Sequence, residues 1–249
     1  MKYFIQIAYK GTAYHGWQIQ QNARSVQQEI SEGISKILRQ EILVQGSGRT
    51  DTGVHCLQQF AHFKHEVKLD KHLFLRRINS LLPADISIDD LLLVQPEAHA
   101  RFSALSRKYL YKITQKKDPF LTDYAFFHYR SLDLKNMQKA ADLLLTWEDY
   151  TAFSKTNSNN EHNLCKVTHA YFEQQKHMLL FHIEANRFLR GMVRLITGAL
   201  LQVGQQNIAV KDLENLLKSK KITGKRYAVP AHGLYLESVQ YPEEIFIKD

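Results

Sequence analysis

Cysteine is scarce in this chain, and its two cysteines give no sign of a disulfide framework. Cys56 and Cys165 lie far apart and form no Cys-x-x-Cys pair. The opening stretch, MKYFIQIAYKG, alternates like a strand and has no continuous apolar segment of the kind found in secretory signals. A sequence with neither feature is typical of the cytoplasm, so we expect a cytoplasmic protein.

Long apolar runs are also missing. No run approaches the roughly 20 residues of a membrane-spanning helix, so we expect no membrane anchor. Low-complexity tracts and short-period repeats are absent as well. The chain has 249 residues, of which 44% are hydrophobic and 23% charged, as is ordinary for a globular protein. This length suits one large domain or two modest ones.

Acidic residues are fewer than basic ones. The chain has 25 acidic residues against 33 Lys and Arg, which gives a net charge of +8 and a pI near 9.3. A basic balance favours a polyanionic partner, with nucleic acid first and a membrane surface second. A basic protein without such a partner has the same balance, so charge alone does not identify the partner.

The order of strand-like and helix-like patterns predicts an α+β fold. The first half has predicted strands at 2–9, 41–45, 54–64 and 86–94, a helix after the capping box Ser25-x-x-Gln28, and a helix between Asp70 and Pro83. The second half has predicted strands at 107–114, 166–174, 178–185 and 233–240, and helices after Asp133, at 187–203 and at 211–219. Each half therefore reads β-α-β-β-α-β. We expect an N-terminal half at 1–104 and a C-terminal half at 105–249, with mainly antiparallel sheets joined around a basic cleft.

The stretch GSGRTDTGVHCLQQFAHF, residues 46–63, holds a lone acid in a glycine-rich turn before a strand. Asp51 could be a nucleophile, a general base, a metal ligand or a turn residue whose side chain binds its own backbone. Arg49 favours a functional role, because a guanidinium beside a carboxylate keeps it ionised. The same arginine could contact phosphate or fill the space left by a displaced base.

The triplet Asp51-Thr52-Gly53 also resembles the local pattern of aspartic proteases. Those enzymes pair two such carboxylates around a water, and this chain has one triplet, so it would need a symmetric dimer. The triplet here follows Arg49 and Thr50 rather than apolar strand residues. A basic setting holds the acid ionised, so the protease interpretation is disfavoured.

A metal site in this stretch is disfavoured by strand geometry. The candidate ligands Cys56 and His62 fall on one face of the predicted strand, and His55 and His65 fall on the other. His55 and His65 would also lie about 33 Å apart along it. We therefore expect no metal.

Two later stretches carry further candidate residues. In RKYLYKIT, residues 107–114, Tyr109 and Tyr111 share one face of the predicted strand. Aromatic residues on a strand face are more often part of the core than of a site. Tyr109 could nevertheless stack on a base or move a proton. In the predicted helix 187–203, Arg187, Arg190 and Arg194 share one face. Such a row is usually solvated, but on a basic chain it could line an anionic groove or supply a partner for Asp51.

Several motifs, in order and over nearly the full length, resemble the bacterial tRNA pseudouridine synthase A family. They are YKGTAYHGWQIQ (9–20), SVQQEI (25–30), GSGRTDTGVHCLQQFAHF (46–63), HARFSALSRKYLYKI (99–113), NRFLRGMVRLITGAL (186–200) and GLYL (233–236). The family usually has Asp in place of Lys10 and Ala in place of Thr52. Neither departure falls on a catalytic position.

The resemblance implies the pseudouridine synthase fold and an isomerase that converts uridines 38, 39 and 40 of the tRNA anticodon stem-loop to pseudouridine. It implies a homodimer that binds tRNA and needs no metal or organic cofactor. By motif match, Asp51 is the catalytic carboxylate and the expected nucleophile. The same match makes Tyr109 the residue at the target base, Arg194 the arginine paired with the aspartate, and Arg49 an aid to flipping the base out. Leu234 or Leu236 is expected to wall the pocket, and Arg187 and Arg190 to bind substrate.

Overall fold

The computed structural model describes residues 1–154, 161–224 and 226–247. Its contacts divide the chain into two compact units. The first comprises Met1–Leu105 and the chain from Leu236 onward, and the second comprises Ser106–Tyr235. From the sequence we expected halves at 1–104 and 105–249. The two units differ from these halves at the C-terminal end, because the chain from Leu236 onward belongs to the first unit.

The first unit is built on a central strand that is buried on both faces. Its elements are β1 (Lys2–Tyr9), α1 (Val26–Leu38), β2 (Gln45–Gly46), β3 (His55–Lys64), α2 (Lys71–Leu81) and β4 (Ile86–Val94). β1 pairs antiparallel with β3 on one side and with β4 on the other. Consecutive side chains of a strand point to opposite faces. The complete burial of both Phe4 and Ile5 therefore means that both faces of β1 are covered.

Both helices of the first unit begin where the sequence predicts. The Ser25 hydroxyl accepts a hydrogen bond from the amide of Gln28 at 3.4 Å, and the Asp70 carboxylate accepts one from Leu73 at 2.8 Å. These bonds satisfy amides that the first turn of a helix leaves without partners. The other half of the predicted capping box differs, since the Gln28 side chain donates to Glu32 at 2.9 Å.

The predicted strand at 41–45 is largely wrong, because β2 comprises only two residues. The amides of Ile42 and Val44 donate to the hydroxyls of Ser35 and Ser31, at 2.9 and 3.3 Å. Serine side chains of α1 thus take the place of a neighbouring strand. This segment needs no sheet partner to satisfy its backbone.

The second unit is also a sheet with helices. Its elements are β5 (Ser106–Thr114), β6 (Phe126–Phe127), α3 (Leu134–Asp142), β7 (Val167–Gln175), β8 (Met178–Ala185), α4 (Met192–Gly204) and α5 (Val210–Ser219). β8 lies between β5 and β7 and is antiparallel to both, whereas β6 is parallel to β5. Asp133 caps α3 as predicted, accepting from Asn136 at 3.0 Å. The last strand, β9 (Leu234–Gln240), lies next to β3 from Leu236 onward.

The predicted combination of helices with mainly antiparallel strands is confirmed. Within the parts of the chain that the structure describes, no helix has the length and apolar character needed to cross a membrane.

Candidate active site

The acid that the sequence singles out lies in a loop of the first unit, residues 47–54, which we call the Asp51 loop. It connects β2 to β3. Within it Thr50 is buried, Asp51 is half-buried, and Arg49 and Thr52 are exposed. The loop therefore holds the carboxylate between a buried neighbour and an exposed one, at the boundary between core and solvent.

Backbone hydrogen bonds to the segment 11–17 hold the Asp51 loop on both sides of the acid. The amide of Trp17 donates to the carbonyl oxygen of Thr50 at 3.2 Å, and the amide of Gly53 donates to that of Tyr14 at 3.3 Å. Because these bonds lie one residue before and two residues after Asp51, they fix the chain on each side of it.

A buried network of side chains supports the base of the loop. The Tyr9 hydroxyl donates to the Gln59 side-chain oxygen at 3.2 Å and lies 2.8 Å from the Thr50 hydroxyl. The Gln59 amide in turn donates to the carbonyl oxygen of Gly48 at 3.4 Å. Buried polar groups satisfied in this way make a local arrangement rigid.

The turn at Asp51 is closed by the main chain. The amide of Val54 donates to the carbonyl oxygen of Asp51 at 3.2 Å, and the amide of Gly53 is engaged by Tyr14. Main-chain oxygens thus accept hydrogen bonds from two of the amides that follow Asp51.

The histidines of β3 have structural partners. The Nδ1 atom of His55 accepts a hydrogen bond from the amide of Gly11 at 3.1 Å, and Nδ1 of His62 accepts one from Ala100 at 3.2 Å. Among residues 1–154, 161–224 and 226–247, no group of three or more His, Cys, Asp or Glu side chains is arranged to hold a metal ion. These rings therefore support the fold.

In the second unit the two tyrosines of β5 have different surroundings. Tyr111 is fully buried and donates to the carbonyl oxygen of Pro230 at 2.8 Å. Burial raises the pKa of Tyr111 far above its usual range, against a smaller opposing effect of Arg194. Tyr109 is half-buried, and its ring packs edge-on against Phe188 with centroids 5.1 Å apart. Tyr111 is thus a core residue, and Tyr109 remains the candidate for contact with a substrate.

The prediction that three arginines share one helical face is wrong, because α4 begins at Met192. Gly191 precedes the helix with φ +74°, a backbone conformation that does not continue a helix. Arg187 and Arg190 therefore lie before α4, and the spacing of an α-helix does not relate them to Arg194. Arg190 is exposed and Arg187 is half-buried, with its Nη1 atom 3.3 Å from Nε2 of His162.

Arg194 lies in the first turn of α4 and is half-buried. Its Nε atom donates to the carbonyl oxygen of Val229 at 2.7 Å, and its own carbonyl oxygen accepts from the amide of Val229 at 3.4 Å. The first bond orients the guanidinium, and the second joins the main chains of the two residues. Leu234, the other candidate in this unit, is the first residue of β9 and is buried.

Sequence reasoning missed several residues that build these sites. Tyr14, Gly16 and Trp17 lie in a motif that carried the family resemblance but received no role. Phe188 lies between two arginines that did receive one. The only signal for these residues was their place inside the quoted motifs, which does not show what they contact.

Comparison with known proteins gives full-length matches. A family model described as tRNA pseudouridine synthase matches residues 5–103 and 140–242, which include every candidate above except Tyr109. A tRNA pseudouridine synthase A of Bacteroides thetaiotaomicron is 41% identical over 100% of this chain and 93% of its own length. Proteins of the same name are 42% identical in Porphyromonas gingivalis, over 99% of both chains, and 36% identical in Caldicellulosiruptor bescii, over 95% of this chain and 98% of the relative.

Proposed function

Because the chain belongs to the tRNA pseudouridine synthase family, we propose that it isomerises uridines 38, 39 and 40 of the tRNA anticodon stem-loop, with Asp51 as catalytic carboxylate. It is an isomerase that converts uridine in tRNA to pseudouridine. The observation that supports the role of Asp51 is its setting. It is a half-buried acid in a loop that main-chain bonds hold on both sides, inside the matched region.

The reaction redistributes bonds without net gain or loss of atoms. The N1–C1′ bond of the uridine breaks, the uracil turns, and a C5–C1′ bond forms. The proton on C5 is lost and N1 ends with one. The Asp51 carboxylate can attack the sugar or the base to give a covalent intermediate, or it can remove the C5 proton. In each route the carboxylate must be ionised, held in place and accessible to the RNA.

The target uridine has to leave its stack before any of these steps. Extruding a paired base costs a few kcal/mol. Arg49 is exposed two residues before Asp51, and a guanidinium can fill the vacated space or bind the neighbouring phosphate. We assign Arg49 to stabilising the flipped state.

Tyr109 is proposed to contact the extruded uracil. Its half-exposed ring is braced from the side by Phe188, so a base can stack on it without the ring having to become ordered first. Its phenol could also take part in removing the C5 proton. Arg194 is proposed as the arginine that supports the catalytic carboxylate, with its orientation set by Val229.

The remaining candidates are proposed to bind tRNA rather than to act in the chemistry. Arg187 and Arg190 supply positive charge for the phosphate backbone. Leu234 is proposed to wall the uracil pocket. By likeness to its family, we propose that the protein acts as a cytoplasmic homodimer on tRNA without a metal or organic cofactor.

Release of tritium from tRNA labelled at C5 of uridine tests this function directly. Wild-type protein should release tritium, and Asp51→Asn should bind tRNA with near wild-type affinity but release none. Thr52→Ala is the matched control, because Thr52 is the exposed neighbour in the same loop, and it should stay active. Turnover by Asp51→Asn would remove Asp51 from its role. Tight binding by wild-type protein without any release would instead indicate an RNA-binding protein that does not catalyse.

A further inference from the structure

The motif HARFSALSRKYLYKI contributes more than Tyr109. Its first residues form a loop of the first unit, residues 98–105, whose side chains Phe102 and Leu105 are 75% and 58% exposed. Exposed apolar residues mark a binding site when they are contiguous, whereas single ones are normal on a protein surface, so exposure alone does not distinguish Phe102. What distinguishes it is the support that the backbone of this loop supplies.

Hydrogen bonds fix the 98–105 loop along its length. The amides of Ala100 and Arg101 donate to Nδ1 of His62 and of His99, at 3.2 and 3.1 Å. The amides of Ala98, Ser103 and Leu105 donate to main-chain oxygens at 2.8–3.0 Å. Because these donors are satisfied by protein, the loop presents Phe102 without needing to become ordered on binding.

Phe102 is the exposed end of a ladder of rings that starts in the core. Phe4 lies 6.0 Å from His62, His62 lies 4.5 Å from His99, and His99 lies 4.5 Å from Phe102, measured between centroids. Burial lowers the pKa of His62 to about 4, and burial together with nearby Lys2 and Arg101 lowers that of His99. Both imidazoles are therefore neutral at physiological pH, as their role as acceptors of backbone amides requires.

The charge around Phe102 favours a nucleic acid over an apolar protein surface. The guanidinium of Arg101 lies 5.4 Å from the centre of the Phe102 ring. Lys2 is anchored to the carbonyl oxygen of Ala98 at 2.8 Å. An aromatic ring next to a guanidinium is a typical platform for an unpaired base, since the base stacks on the ring and the positive charge attracts the phosphate backbone.

We propose that Phe102 and Arg101 form a second RNA contact, a platform on which a base of the tRNA other than the target uridine stacks. The site is displaced along β3 from the end of the Asp51 loop that carries the acid. His62, which supports it, lies seven residues from His55, the first residue of β3, which is about 23 Å in a strand. The proposal rests on the function proposed above, because it assumes that tRNA is the substrate.

Substitutions at Phe102 separate stacking from simple apolar contact. Base stacking on an aromatic side chain predicts that Phe102→Ala and Phe102→Leu each weaken tRNA binding about five- to 100-fold, while Phe102→Trp keeps it within about threefold. Because the proposed platform takes a base other than the reacting uridine, its loss should raise KM, and kcat for tritium release at saturating tRNA should stay unchanged in all three. The fluorescence of the new tryptophan in Phe102→Trp should also fall when tRNA binds, more than that of wild-type protein. Phe120→Ala, which removes another highly exposed phenylalanine (87%), is the control and should bind like wild type.

Three results would overturn the proposal. One is wild-type affinity in Phe102→Ala, and another is full affinity in Phe102→Leu, which would indicate apolar packing rather than stacking. The third is a changed sedimentation mass in Phe102→Ala, which would assign the surface to a second copy of the chain. Failure of the proposed function is distinct from all three, because wild-type protein would then release no tritium.

Discussion

Gly16 and Thr50 touch through their backbones: a Cβ atom placed on Gly16 would lie 2.4 Å from the carbonyl oxygen of Thr50. Gly16 also has φ +91°, which side-chain-bearing residues rarely adopt. The next residue, Trp17, donates its amide to that same oxygen. Position 16 therefore sets how closely the 11–17 segment approaches the residue before Asp51.

Gly16→Ala is expected to destabilise the protein. The added methyl group meets both a backbone clash and a strained φ, and such strain costs about 1–3 kcal/mol. Urea unfolding, followed by circular dichroism, measures the loss. Gly48→Ala is the matched control in the Asp51 loop, since apart from Gly48 and its two chain neighbours no atom of the described structure lies within 4 Å of the new methyl group. It should change stability by no more than about 0.5 kcal/mol. Equal stabilities of the two variants would contradict the tight approach at Gly16.

Substitutions at Tyr109 separate its two proposed roles. Phenylalanine keeps the ring that packs on Phe188 and removes the phenol, whereas leucine removes the aromatic face as well. If stacking is the main contribution, Tyr109→Phe should retain most of the rate of tritium release and Tyr109→Leu should lose it. A loss of 100-fold or more in Tyr109→Phe, about the lower end of what a general base contributes, would instead assign proton transfer to the phenol.

Salt should weaken tRNA binding steeply. Each lysine or arginine that contacts a phosphate contributes about one to the slope of log K against log salt concentration. The double variant Arg187→Gln/Arg190→Gln should therefore bind with a slope shallower by about two. Arg76→Gln/Arg77→Gln removes two exposed charges from α2 and should leave the slope unchanged. Equal slopes for the two double variants would exclude Arg187 and Arg190 from phosphate binding.

Acid should destabilise the fold through His62. Its pKa falls from 6.5 to about 4 because the ring is buried and faces His99, Lys2 and Lys64. The unfolded chain then takes up a proton more readily than the folded one. The free energy of unfolding should therefore drop as the pH falls from 6.5 to 4, by at most about 3 kcal/mol.

The variant His62→Gln checks this assignment. It removes the titrating group, so unfolding measured between pH 4 and 6.5 should depend less on pH than in wild-type protein. Some dependence should remain, because the pKa values of His99 and His128 are lowered as well. An unchanged pH profile would mean that His62 is not a source of acid sensitivity.

The elements that sequence reasoning placed correctly are those with local signals. Ser25, Asp70 and Asp133 each cap the helix that follows, and a cap is a contact over three residues that the sequence displays directly. The strands β1, β4 and β8 match their predicted bounds because their apolar patterns end at turns.

The errors arose where tertiary contacts replaced a local signal. Residues 41–45 have a strand-like pattern, but the hydroxyls of Ser31 and Ser35 satisfy their amides. The apolar pattern around Phe188 continues into α4 without interruption, and only the positive φ of Gly191 reveals that the helix begins later. For the site, the motifs identified Asp51, Tyr109 and Arg194 as candidates. They gave no indication that Tyr14 and Trp17 hold the Asp51 loop, since these contacts join segments more than 30 residues apart.

The anchoring of the Asp51 loop also determines whether it could be transplanted. Its sequence signature is contiguous, but its shape depends on Tyr14, Gly16 and Trp17, and on Tyr9 and Gln59 beneath it. A graft of residues 46–63 alone into another scaffold would carry the acid without the contacts that position it. The smallest portable piece is two segments, 9–17 and 46–63, transferred together in their native register.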